Sequence, residues 1–140
     1  MVQVIEVDRV IIGTEDIDAT VEQFERLGLS FGETLSFQVG EERLSARLEE
    51  HGIDILSPDD EGEIQRYLDE QGGGLYGLSV RVADVEAARE ALAEEGVEPI
   101  QEYQEDSFAE YFYHPRDFGG VLLIVCEYDV PHSLEAHLDR

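Results

Sequence analysis

Val4 to Ile12 is dominated by β-branched apolar residues broken by Glu6, Asp8 and Arg9, and helical spacing follows at Ile17, Val21, Phe24 and Leu27, before Gly28. This predicts a strand and then a helix, which Asp16 or Asp18 can cap. Three short strands follow over Thr34 to Val39, Arg43 to Leu48 and Gly52 to Leu56, with Gly40-Glu41 as the tight connection between the first two. The βαβββ order then recurs, with strand Leu75 to Val82, helix Asp84 to Glu95, and strands near Glu98 to Tyr103, Ser107 to Tyr113 and Val121 to Glu127. Arg9 to Leu29 aligns with Gly77 to Val97 without a gap at an offset of 68 positions. Val10, Ile12, Asp16, Ile17, Ala19, Phe24 and Gly28 fall on Leu78, Val80, Asp84, Val85, Ala87, Leu92 and Gly96, which marks a duplicated module.

The expected architecture is α+β: two βαβββ modules forming a curved mixed-sheet groove, with helices on the outer face. Residues 1–140 form a single domain, with module one at 1–58, a linker at 59–73, module two at 74–128 and a tail at 129–140. Pro58-Asp59-Asp60-Glu61-Gly62 breaks the pattern, and Ile64, Tyr67 and Leu68 predict a short amphipathic helix before Gly72-Gly73-Gly74. The three glycines lack the Gly-Lys-Ser/Thr continuation of a phosphate loop and read as linker.

Strand parity then assigns faces. Val7, Arg9 and Ile11 point into the groove, as do Arg43, Ser45 and Arg47; Val10, Ile12, Leu44, Ala46 and Leu48 take the helix side. Gly52, Asp54 and Leu56 also point inward, with Gly77, Ser79 and Arg81 and with Leu122, Ile124 and Cys126. The candidate ligand-binding residues are therefore Arg9, Arg47, Asp54, Ser79, Arg81, Ile124 and Cys126, and Asp54 is the candidate general base. Arg9 reads either as an anchor for a substrate anion or as the partner of Asp54 or another carboxylate. Cys126 reads as a buried, inert thiol. Tyr103, Tyr111, Phe112 and Tyr113 could wall a pocket for a flat ligand, and alternate residues there must serve the core.

Charge narrows the partners. The chain carries 34 Asp and Glu against nine Arg and no Lys, a formal net charge of −25. Such a surface repels nucleic acid and anionic lipid, so neither partner is expected. Carboxylate excess without Lys suits a cytoplasm near multimolar salt; an Arg-biased mesophile with an unusually acidic protein is the alternative. Cys126 is the only cysteine, so no internal disulfide is possible, and Met1 to Glu6 lacks a basic start and long apolar run. A cytoplasmic protein is expected.

Four segments carry a family resemblance: Val7-Asp8-Arg9-Val10-Ile11-Ile12, Ile53-Asp54-Ile55-Leu56-Ser57-Pro58, Gly73-Gly74-Leu75-Tyr76-Gly77-Leu78, and His114-Pro115-Arg116-Asp117-Phe118-Gly119-Gly120-Val121-Leu122-Leu123. They resemble the vicinal oxygen chelate superfamily of glyoxalases, bleomycin-resistance proteins, extradiol dioxygenases and methylmalonyl-CoA epimerases. In look they are nearest to epimerase-like and hydroxyphenylpyruvate-dioxygenase-like members. The resemblance implies a divalent metal held by His, Gln or Glu from the first and last strands of each module. Position by position, those ligands fall on Arg9, Gly52, Gly77 and Ile124. None of these can bind a metal through its side chain, because a guanidinium stays protonated and the others carry no donor. No metal or other cofactor is expected. His51, His114, His132 and His137 do not cluster at a ligand spacing, and His114 matches the family's His-Pro turn.

Three functions are consistent with these residues. One is a metal-free protein binding a small anionic or aromatic molecule. Another is an epimerase or lyase acting on an acid or acyl thioester, with Arg9 as electrophile and Asp54 as base. The last is a structural homodimer without a ligand, since members of this superfamily commonly pair.

Overall fold

A computed structural model of the chain describes residues 2–39 and 41–130. Gly40, His132, His137 and the tail beyond Val130 lie outside the described residues. Among the described residues eight strands and three α helices make an α+β fold: β1 (Val4–Gly13), α1 (Ile17–Glu25), β2 (Leu35–Val39), β3 (Glu42–Leu48), β4 (Ile53–Pro58), α2 (Glu63–Gln71), β5 (Gly74–Val82), α3 (Val85–Glu94), β6 (Gln101–Glu105), β7 (Phe108–Tyr113) and β8 (Leu122–Tyr128). Both βαβββ passes are present, and so is the linker helix. Each module's helix starts at the equivalent aspartate. Asp16 accepts from the Ala19 N–H at 3.0 Å, and Asp84 accepts from Glu86 and Ala87 at 3.0 and 3.3 Å. Each such cap satisfies backbone donors that the first helical turn leaves unpaired.

The chain divides into two compact units. Val10–Tyr76 forms one; the described residues up to Arg9 and from Gly77 onward form the other. The first strand is thus divided between them, its opening half belonging with the second module.

In the Val10–Tyr76 unit, β2 and β3 pair antiparallel, β3 and β4 antiparallel, and β4 runs parallel to the last residues of β1. Residues directly opposite one another share a face. Leu48 lies opposite Asp54 and Ala46 opposite Leu56, whereas Arg47 lies opposite Ile55. This corrects the expected parity, because Arg43, Ser45 and Arg47 share a face with Ile53 and Ile55, and Asp54 lies on the other. The helix α1 covers the Arg47 face, burying Val21 and Ile55 completely. On the opposite face, Leu44 packs with Ile64 and Leu68 of α2. The strands are covered on both faces, so alternation alone could not select the register.

In the other unit, β5 and β8 pair parallel, and β8-β7-β6 continue antiparallel. One face packs on α3 through Val82, Val85, Ala88, Ala109, Tyr111, Tyr113 and Val125. Tyr111 and Tyr113 therefore belong to the core, where the Tyr111 hydroxyl donates to Glu86 and is pushed up to about 12 by burial and by that carboxylate. The other face carries Gly77, Ser79 and Arg81, opposite Leu122, Ile124 and Cys126 as parity predicts. Glu110 and Phe112 of β7 extend it, lying opposite Cys126 and Ile124.

Candidate functional site

Four of the expected ligand-binding residues gather on this second face: Ser79, Arg81, Ile124 and Cys126. A fifth residue organises them. Asp8 is buried, and its carboxylate accepts from Tyr128 Oη at 2.7 Å, from Ser79 Oγ at 2.9 Å and from Cys126 Sγ at 3.6 Å. Three donors stabilise a charge that burial alone would make costly. Burial, then the adjacent Asp8 charge and hydrogen bond, push the Cys126 thiol up, which disfavours the thiolate.

Arg81 stands over the Tyr128 ring, 3.9 Å from its centroid. Its Nη1 meets Glu6 at 3.2 Å, and its Nη2 donates to the Tyr128 and Val130 carbonyls at 3.0 and 3.4 Å. Glu6 and Asp8 are thus β1 side chains that meet this face. Val7, expected to point inward, is 62% exposed. Strand parity gave no signal for this, since Asp8 alternates with Val10 and Ile12, which take the helix side. Glu110 was also missed: it is buried and engaged by its neighbours, the one acid in Phe108-Ala109-Glu110-Tyr111-Phe112-Tyr113.

Arg9 is 1% exposed and likewise engaged. Arg47 is placed elsewhere from the other candidates, with its Nε donating to the Gly32 carbonyl at 2.7 Å and its Nη1 meeting Asp18 of α1 at 3.4 Å. Asp54 is half-buried on the face opposite Arg47, between Leu48 and Ile11 in register.

The turn that leads to Asp54 is held from within. Glu49 is fully buried and accepts from the His51 and Ile53 N–H groups at 2.8 and 3.3 Å, while its other oxygen meets His51 Nδ1. Gly52, with φ +118°, then offers its carbonyl to Val10 N at 2.7 Å. Burial opposes ionisation of Glu49, but the His51 side chain and the two backbone donors outweigh it and lower its pKa; the same carboxylate raises that of His51. Glu49 therefore stabilises the fold above its ordinary value of 4.5 and loses that effect as pH falls through its lowered value. His51 contributes fully below its ordinary 6.5 and loses its effect as pH rises through its raised value. The deficit of His51→Gln in melting temperature is expected to be widest between those two ordinary values and to shrink toward alkaline pH. Equal deficits at about pH 5.5 and pH 9 would show that the His51 charge contributes nothing.

None of the positions where the resemblance expects a metal ligand carries a coordinating side chain. Arg9 has no lone pair to donate, Gly52 and Gly77 have no side chain, and Ile124 is apolar and buried. Among the described residues no three His, Cys, Asp or Glu side chains form a group that could hold a metal ion. The residues present do not fit a divalent cation at that position. Among the described residues, no helix is long and apolar enough to cross a membrane.

Duplicated βαβββ passes with polar residues buried on the face away from α3 define a paired-module α+β protein. The chain belongs to the Glyoxalase/Bleomycin resistance protein/Dioxygenase superfamily, whose pattern matches residues 8–113. Its fold is similar to that of the methylmalonyl-CoA epimerase from Mycobacterium tuberculosis, with 27% identity, a TM-score of 0.74, and 91% of this chain and 90% of that one covered. A Streptomyces coelicolor methylmalonyl-CoA epimerase variant in complex with 2-nitronate-propionyl-CoA matches at 22% identity and a TM-score of 0.75, covering 93% of this chain and 99% of its own. A hypothetical protein from Bacillus halodurans matches at 21% and 0.73, covering 89% and 95%. No curated protein matches this chain.

Proposed function

We propose that this chain is a metal-independent member of the superfamily that binds a small anionic or aromatic organic molecule. The donor set carries this reading, because all four positions where the resemblance expects metal ligands lack a side chain able to coordinate. Arg9, at the first of them, supplies a fixed positive charge in place of the cation. The acidic, Lys-free composition supports a salt-rich cytoplasm, and the family's habit of pairing supports a homodimer.

The test is a thermal-shift screen of carboxylates, aromatic acids and acyl-CoA thioesters, run with and without EDTA at high salt. A ligand that raises the melting temperature equally in both conditions is the expected result. Stoichiometric zinc, nickel, manganese or iron in the purified protein, or a shift abolished by EDTA, would overturn the metal-independent reading.

A second reading is favoured by the 27% identity to the mycobacterial epimerase. It is proton transfer next to a thioester or acid carbonyl, with Asp54 as base. Solvent deuterium should then enter the substrate α-position, and Asp54→Asn should abolish the exchange. An absence of exchange across an acyl-CoA panel would leave binding alone.

A further inference from the structure

We infer that Gly77 is a packing residue rather than a vacated ligand position: it lets β5 approach β8 so closely that the superfamily's metal position in this unit is closed to any side chain. The inference rests on the metal-independent reading above and explains how that state is maintained. A Cβ at Gly77 would lie 2.7 Å from the Leu122 carbonyl oxygen, 3.1 Å from Leu122 Cβ and 3.5 Å from its carbonyl carbon. Real Cβ atoms do not sit 2.7 Å from a backbone oxygen, and a strand carbonyl cannot swing aside as a side-chain tip can. Backbone conformation offers no competing explanation, because Gly77 is not among the glycines with positive φ. Leu122 is its ladder partner, so the contact lies within the β5–β8 pairing itself.

The surrounding face is closed to a cation as well. Ile124, at the family's fourth ligand position, is 6% exposed and lies opposite Ser79, whose hydroxyl is already committed to Asp8. Restoring ligand side chains at 77 and 124 would therefore have to part the strands and break the Asp8 network before any metal could enter. A simple loss of ligands predicts the reverse, with the strands unchanged and the site recoverable by substitution.

Gly77→Ala separates the two accounts by the sign of its effect. In a strand interior with ordinary backbone angles, Gly to Ala is normally stabilising. Here it should lower the melting temperature by roughly 5 °C through overpacking. A melting temperature equal to or above that of the parent protein would overturn the inference. Co2+ titration of the parent and of the Gly77→His/Ile124→Glu double variant, followed by visible absorbance and elemental analysis, gives an independent reading. Neither protein is expected to take up one equivalent. Uptake by the folded double variant alone would overturn the closure of the site; uptake by the parent would overturn the metal-independent reading, leaving the Gly77→Ala result to judge the packing role.

Discussion

Asp8→Ala should lower the melting temperature by about 10–20 °C, corresponding to roughly 3–5 kcal/mol for a chain of this size. The carboxylate is 6% exposed and accepts from Tyr128, Ser79 and Cys126, so its removal leaves two hydroxyls buried without their acceptor. An unmet buried hydroxyl costs about 1–3 kcal/mol, and this substitution leaves two of them. Asp8→Asn, keeping one acceptor oxygen, should fall between the parent and Asp8→Ala. Tyr128→Phe alone should cost about 1 kcal/mol, whereas adding it to Asp8→Ala should recover part of the loss, because it removes one of the hydroxyls left unmet. Urea melts of the parent, Asp8→Ala, Tyr128→Phe and the double variant measure this coupling. Additive effects, or an Asp8→Ala protein within about 3 °C of the parent, would mean that the network contributes little.

Raising KCl from about 0.1 M to about 2 M should raise the melting temperature by roughly 10 °C or more. A net charge of −25 on one chain repels itself over a Debye length of about 10 Å at the lower salt and less than about 3 Å at the higher. Few Arg residues are available to offset it. Several are occupied locally, as Arg66 is with Glu63 and Arg89 with Glu102. General salting-out would also stabilise, so the discriminating measurement uses a variant. Glu22, Glu25, Glu90 and Glu94 are exposed, and changing all four to Gln should flatten the salt dependence by raising stability chiefly at low salt. Parallel curves for the parent and the quadruple variant would assign the effect to salting-out and not to charge repulsion.

The element order was legible because it is written in local periods. Asp16 and Asp84 start their helices, and Gly72 ends α2 in the left-handed conformation at φ +78°. His114 opens the turn before β8, its Nδ1 accepting from Arg116 N at 3.0 Å, as its neighbour Pro115 suggested. The placement of Ser79, Arg81, Ile124 and Cys126 on one face followed from alternation alone, since one side of that ladder is committed to α3. Alternation failed at Arg43, Ser45 and Arg47 of β3, where both faces of the strand are covered and either parity buries enough apolar surface, while Asp54 lies opposite in face to Ile53 and Ile55 as its parity predicts. There the Glu49 carboxylate, by gathering two backbone N–H groups and the His51 ring, sets the turn and with it the register.

The sequence by itself determined the duplicated module, its helix caps, the acidic composition and the lack of coordinating side chains at the four positions where the resemblance expects them. These are properties of residue type and of spacing within a few turns of chain. Only the tertiary structure decided that Asp8 joins Ser79 and Tyr128, that Arg47 and Asp54 part company, and that Leu122 fills the space a side chain at position 77 would need. The partners in the Asp8 network stand 71 and 120 positions apart along the chain. No local period specifies which of many distant hydroxyls a buried carboxylate will meet; strand pairing does, by bringing them within hydrogen-bond reach.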